Sequence, residues 1–146
     1  MSSSLAPSRE ETLYVRDHCL CFHAQRAARA VARRFDDAFR PFDLTNGQFS
    51  LMMSLNRPEP PTLGSVAPFL SMDRTTLTAA LKPLVRRGLV RVTIDQKDRR
   101  SRRLTLTRKG KALLATVLPV WRQVQTDLDA RLDNADRLRG ELRALG

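Results

Sequence analysis

The chain has 146 residues, 42% of them hydrophobic, which suits one domain with a sizeable core and no need of disulfide or metal staples. Lys and Arg number 26 against 15 Asp and Glu, and the resulting net charge of +11 favours a polyanionic partner such as nucleic acid or an anionic surface. The longest apolar stretch, Ala112 to Trp121, is broken by Thr116 and Pro119 and falls far short of the roughly 20 residues that span a bilayer, so no membrane segment and a soluble, cytoplasmic chain are expected.

The opening residues MSSSLAPSREET carry no apolar run of the kind a secretory leader has, and read as a flexible tail over 1–12. Residues 13–39 contain neither Gly nor Pro, and Val15, Cys19, Phe22, Val31, Phe35 and Phe39 recur near helical spacing. This predicts one long amphipathic helix, ended by Pro41. Cys19 and Cys21 stand two apart on it, a spacing at which helical side chains do not face each other, so no disulfide joins them. Thr45, with Gln48 three residues on, has the form of a capping box before Phe49, Leu51, Met52, Met53 and Leu55, and NRPEPP stops that helix. Thr62 caps a short helix containing Leu63, Val66, Phe69 and Leu70, with Pro68 removing one backbone hydrogen bond.

After the turn Leu70-Ser71-Met72, Asp73 caps a helix whose Leu77, Leu81 and Leu84 fall at i, i+4 and i+7, with Gly88 closing it and Pro83 inside it. Two short helices joined by a tight turn make a helix-turn-helix. Beyond Gly88 the period changes to two: Val90, Val92 and Ile94, then the charged tip DQKDRRS, then Leu104 and Leu106. That is a β-hairpin. Thr107 then caps a long helix carrying Leu113, Leu114, Val117, Leu118, Trp121, Val124 and Leu128, and Asn134 caps a last one with Leu138, Leu142 and Leu145. The expected fold is mainly α with a small β-hairpin wing, a winged helix-turn-helix.

Charge is uneven along this framework. Between Arg86 and Lys111 there are eleven basic residues and two acids, whereas between Arg122 and Arg143 five of each cancel. An Arg-rich genome would raise both segments alike, so the hairpin and its flanks are the part suited to displacing counterions from phosphates. The helix from Asp73 turns Leu77, Leu81 and Leu84 inward, which leaves Arg74, Thr75, Thr78, Ala79 and Lys82 outward, where a major groove would meet them. The wing adds Arg99, Arg100 and Arg102.

Enzymatic chemistry has little to stand on. There is no phosphate-cradling Gly-rich loop, no Gly-x-Ser-x-Gly elbow and no paired metal-ligand cluster. Cys19 and His23 share a helix face at i, i+4, but no third ligand accompanies them, and zinc sites use at least three protein ligands. Neither an enzyme nor a cofactor or metal site is expected.

The segments DRTTLTAALKPLVRRGLV at 73–90 and DQKDRRSRRLTLTRKG at 95–110 give the chain from about residue 13 onward a resemblance to the MarR family of bacterial regulators. The second segment is the more specific, because an Asp-Arg-Arg hairpin tip followed by Leu-Thr-Leu-Thr-x-x-Gly stands at a fixed distance from a helix-turn-helix. The resemblance implies a two-fold homodimer made by the first and last helices, here 13–40 and 111–146, with winged lobes over 45–110. It implies a regulator, commonly a repressor, that binds a pseudo-palindromic operator in double-stranded DNA and releases it to a small molecule or an oxidant. Carried onto this sequence, the helix from Asp73 is the recognition helix, Arg100 the minor-groove arginine and Asp98 the wing acid that ties neighbouring arginines in place. Ala79 and Ala80 depart from the polar groups relatives often carry there, which shifts readout toward Arg74, Thr75, Thr78 and DNA shape.

The segment CLCFHAQRAARAV also resembles the start of the hydroperoxide-sensing subgroup, with Cys21 at the place of its reactive cysteine. That subgroup activates its thiolate with tyrosines, and Phe35 and Asn46 stand at the corresponding places here. Along the helix only His18 and Gln25 are within reach of Cys21, so a packed, unreactive thiol is the simpler expectation. Cys19, Cys21, Phe22, His23, Phe49 and Met53 then form a candidate pocket of apolar and sulfur groups for a small aromatic or acyl effector. Two alternatives stay open: an oxidant-sensing repressor acting through Cys21, and an architectural nucleic-acid-binding protein that uses charge alone.

Overall fold

The computed structural model describes residues 6–146. The first five residues of the expected tail lie outside that range. Helix α1 (Arg9–His18) begins inside the segment read as tail, because Ser8 and Glu11 form a capping box: the Glu11 N–H donates to Ser8 Oγ at 3.1 Å and the Ser8 N–H donates to Glu11 Oε2 at 2.7 Å.

The single helix expected over 13–39 is two helices. Between α1 and α2 (Leu20–Phe39) Cys19 takes an extended conformation, φ −75° and ψ 108°. Side chains hold the break where no Gly or Pro marks it. The His18 Nδ1–H bonds the Tyr14 carbonyl at 2.8 Å, the His23 Nε2–H bonds the Asp17 carbonyl at 3.1 Å, and Cys19 Sγ accepts the Phe22 N–H at 3.4 Å. These groups replace ladder bonds that the extended residue removes.

Helix α2 stops at Phe39, and a 3-10 turn, Arg40–Phe42, contains Pro41 and ends on Asp43 in the left-handed region at φ 51°. Helix α3 (Asn46–Ser54) starts from the expected Thr45–Gln48 capping box, and α4 (Leu63–Phe69) from Thr62. Ser71, at φ 52°, makes the tight turn into α5 (Arg74–Arg86), where Asp73 accepts the Thr76 N–H at 2.7 Å. The far end of α5 closes as a Schellman motif. Gly88 has φ 70°, its N–H reaches the Val85 carbonyl, and the Leu89 N–H reaches the Leu84 carbonyl.

Strands β1 (Val90–Ile94) and β2 (Arg102–Leu106) pair antiparallel with Val90 opposite Leu106 and Ile94 opposite Arg102. Their base is tied to the entry of α4 by a bridge from Thr62 to Arg103 and by the Leu104 N–H bonding the Pro61 carbonyl at 2.9 Å. Helices α6 (Arg108–Asp129) and α7 (Ala135–Arg143) start from Thr107 and Asn134 as expected.

One continuous core joins these elements. Leu77, Leu81 and Leu84 of α5 meet Phe39, Met52, Val66, Leu89, Leu104 and Val117, all fully or almost fully buried. Phe35, Phe39, Phe49 and Trp121 stack at its upper end, with ring centroids 5.1 to 6.4 Å apart, and so fasten α2 and α3 to α6. Helices α1 and α7 contribute no buried residue.

Candidate nucleic-acid interface

The outward face of α5 follows from its inward one. With Leu77, Leu81 and Leu84 buried, Arg74, Thr75, Thr78, Ala79 and Lys82 are all exposed, as the spacing requires. Asp73 holds the first turn, and its carboxyl is kept below the ordinary aspartate range chiefly by the backbone N–H of Thr76. Arg74 and Thr75 therefore sit on a capped, well-defined helix start.

The wing presents Arg99, Arg100 and Arg102, all exposed. Arg102 folds back, its Nη1–H donating to the carbonyls of Arg99 and Ser101 at 3.2 and 3.3 Å. Asp98 acts on the backbone and makes no described contact with an arginine side chain: its Oδ1 accepts the Arg100 N–H at 3.1 Å, which fixes the turn carrying Arg100. The acid that does hold an arginine is Asp95, which sequence reasoning passed over. It is nearly buried, accepts the Lys97 N–H at 3.2 Å, and pairs with Arg103 at 3.4 Å, while Arg103 also donates to the Pro60 carbonyl at 2.7 Å. The Lys97 N–H first, then Arg103, hold the Asp95 carboxyl below the ordinary range. Its signal was the placing of an acid at the end of a strand, two residues before a backbone N–H it can cap.

Thr78, Lys82 and Arg102 line one groove between α5 and the wing, of about 590 Å³, together with Leu81, Val85, Arg86 and Val92. The positive charge counted along the sequence is thus partly spoken for. Arg103 is paired inside the wing, and Arg87 and Lys109 donate to backbone carbonyls at the helix ends. The other cations between Arg86 and Lys111 are exposed.

The six candidate pocket residues do not share an environment within one chain. Phe49 is buried in the core against Phe39 and Trp121, whereas Cys21, Phe22 and His23 are exposed on the first turns of α2, Met53 is exposed on α3, and Cys19 is half-buried at the helix break. The expectation of a packed Cys21 is corrected: the thiol is free and exposed, with Gln25 Nε2 donating to its Sγ at 3.3 Å. Cys19 is free as well. Among the described residues no group of three His, Cys, Asp or Glu is placed to hold a metal ion, and no helix is long and apolar enough to cross a membrane.

Residues 44–101, from the start of α3 through the wing tip, match the sequence profile of the MarR family. The fold is similar to that of the transcriptional regulator MosR of M. tuberculosis, solved in complex with DNA, at 38% identity over 88% of this chain and 93% of that one, with a TM-score of 0.82. The chain belongs to the MarR family. Within the family it is also similar to the transcriptional repressor CouR, solved bound to a 23-mer DNA duplex, at 28% identity, 96% coverage of each chain and a TM-score of 0.75. The HTH-type transcriptional regulator SarZ of Staphylococcus haemolyticus is 27% identical over 135 residues, 90% of this chain and 92% of that one. The chain is accordingly a winged-helix transcriptional regulator of the MarR family rather than an enzyme, with α3 to α5, β1 and the wing tip inside the matched residues.

Proposed function

We propose that this MarR-family regulator works as a homodimer that reads a pseudo-palindromic operator in double-stranded DNA and represses transcription until a small molecule releases it. The observation that carries the DNA reading is the pairing of an exposed, capped α5 face with an exposed arginine wing across one groove. Arg74, Thr75 and Thr78 are assigned to base edges and nearby phosphates, Lys82, Arg99 and Arg102 to the backbone, and Arg100 to the minor groove, with Asp98 holding its turn. The MosR and CouR complexes with DNA support the partner. Dimerisation through 13–40 and 111–146 is supported by the apolar groups left uncovered there: Tyr14, Val15 and Leu20 at one end, Leu138, Leu142 and Leu145 at the other. A cytoplasmic location follows from a DNA partner.

The effector is a small aromatic or acyl molecule, for which Phe22 on the first turns of α2 and Met53 on α3 each leave apolar surface. A second reading, release by oxidant at Cys21, is favoured by the exposed thiol and its Gln25 contact. Hydroperoxide titrated against the protein on its operator separates the two, since only release that vanishes in Cys21→Ser supports the thiol.

The DNA reading is tested by competition binding. A regulator prefers duplexes it selects from a random pool over unrelated DNA by roughly 10³-fold or more, whereas a binder using charge alone has almost no preference. A ratio near one sinks the proposal in favour of the architectural alternative.

A further inference from the structure

We propose that Arg87 is a positioning residue that sets the angle at which α5 meets DNA, by locking the end of the reading helix to α2 and α6. The inference rests on the DNA-binding reading above. It begins just after α2, where the 3-10 turn Arg40–Phe42 and left-handed Asp43 end in carbonyls with no following turn to bond them. The Arg87 guanidinium reaches back 44 positions to supply the donors: Nη1–H to the Asp43 carbonyl and Nη2–H, at 3.4 Å, to the Phe42 carbonyl. A planar fork suits two neighbouring carbonyls, and a cation suits the negative end of a helix.

The same residue is tied on its other side. Its own carbonyl accepts from Lys109 Nζ at 2.9 Å, and the next carbonyl, of Gly88, accepts from Thr107 Oγ1 at 2.6 Å. Lys109 and Thr107 begin α6. The 3-10 turn after α2, the end of α5 and the start of α6 therefore meet at Arg87, and α2 and α6 run from there into the segments 13–40 and 111–146 assigned above to the dimer.

Leverage makes this joint matter. Helix α5 has 13 residues, so at 1.5 Å per residue its reading end, with Arg74 and Thr75, lies about 20 Å from the joint. A swing of about 10° there moves the reading end by about 3 Å, the whole length of a hydrogen bond. In a two-fold dimer the same angle fixes the separation of the two reading helices, so loosening it blurs the spacing of half-sites that the protein accepts.

The test uses the full chain and a duplex that the wild type selects from random DNA, rebuilt with its half-sites moved by one or two base pairs either way. Arg87→Gln is expected to lose about tenfold on the selected spacing, the size of a lost hydrogen bond to a charged group, while random and re-spaced duplexes bind as before and the salt slope is unchanged. Arg87→Lys keeps the charge without the fork and gives an intermediate loss of spacing preference. A uniform loss on every duplex, with the salt slope reduced by about one, would mean that Arg87 touches phosphate directly and overturns the proposal. So does an unchanged spacing preference in Arg87→Gln, or in Arg87→Lys if Arg87→Gln does not fold by thermal melting. A wild type that selects no sequence would sink the DNA reading instead, which keeps the two failures apart.

Discussion

The winged lobe and the outermost helices are built on opposite terms. Between Leu44 and Leu106 lies most of the buried core, with Leu77, Leu84 and Leu104 wholly enclosed, although Phe69, Val92 and Ile94 stay exposed. Helices α1 and α7 have amphipathic sequences of the same general kind, yet they bury nothing, and Tyr14, Val15, Leu138 and Leu142 stay exposed. A segment that completes its own core is stable by itself, and one that does not is waiting for another surface. On the proposed dimer, the difference separates what the lobe does alone, presenting a helix and a wing, from what a second copy would add, holding two lobes at a fixed separation.

The largest effect that would sharpen this contrast is expected at Gly110. Its place on α6 runs so close to the β1 entry that an added Cβ would lie 2.2 Å from the Leu89 carbonyl oxygen, a backbone atom with no room to move. Gly110→Ala should cost about 3 kcal/mol or more, above the usual range for overpacking, and should melt the lobe itself. A thermal midpoint within a few degrees of wild type would show that the start of α6 can shift.

Next come two leucines, one from each region. Leu104→Ala removes a fully buried side chain and should cost about 2 to 5 kcal/mol at any protein concentration. Leu142→Ser alters a half-exposed residue of α7, and as a single-chain change should be almost silent. If α7 packs on a second copy, its midpoint falls instead with dilution, because association is then part of stability. A Leu142→Ser melt that is wild-type at every concentration breaks the comparison, since α7 would then be merely solvated.

The lobe was legible in the sequence because its signals are local. Thr45, Thr62, Asp73, Thr107 and Asn134 each cap the helix they were expected to cap, and the change of period at Gly88 marks the hairpin. The exposed face of α5 followed from three leucines by geometry alone. The break at Cys19 was invisible for the converse reason: it is made by His18, His23 and a thiol, none of which is a helix breaker by type. Asp95 and Arg87 were missed because their partners lie 8 and 44 residues away, or in a backbone carbonyl that every residue carries. What covers Phe49, namely Phe39 and Trp121, was not legible either, because periodicity tells which face is apolar and not what packs on it.

Smaller effects test how the lobe divides its work. Arg74→Ala should lose about 1 to 3 kcal/mol on the selected duplex and relax preference at one position of each half-site, as for a lost base contact. Arg100→Ala should weaken binding on selected and random DNA alike and lower the salt slope by about one. If the two variants behave identically on both kinds of DNA, the helix and the wing do not have the separate roles assigned to them.

The smallest expected effect is in acid, and it also tells the two regions apart. Asp95 in the wing is held below the ordinary aspartate value of 3.8 mainly by the Lys97 N–H, and Asp129, at the end of α6, mainly by Arg139, which also bonds Asp136 on α7. A carboxyl that releases its proton more readily in the fold than in the unfolded chain stabilises the fold above pH 3.8, and that contribution is lost as pH falls through the lower folded value. Each amide variant keeps an acceptor but no charge, so it should flatten the acid limb that its parent carries. Asp95→Asn should do so for the unfolding of the lobe, read by melting at low pH. Asp129→Asn should leave the lobe's acid limb alone and instead flatten the pH dependence of association, read by sedimentation, because Arg139 then no longer pins α7 against α6 in a charge-dependent way. Equal flattening of both readouts by either variant would mean that lobe and stem unfold as one unit in acid, and that the contrast in burial between them does not extend to their stability.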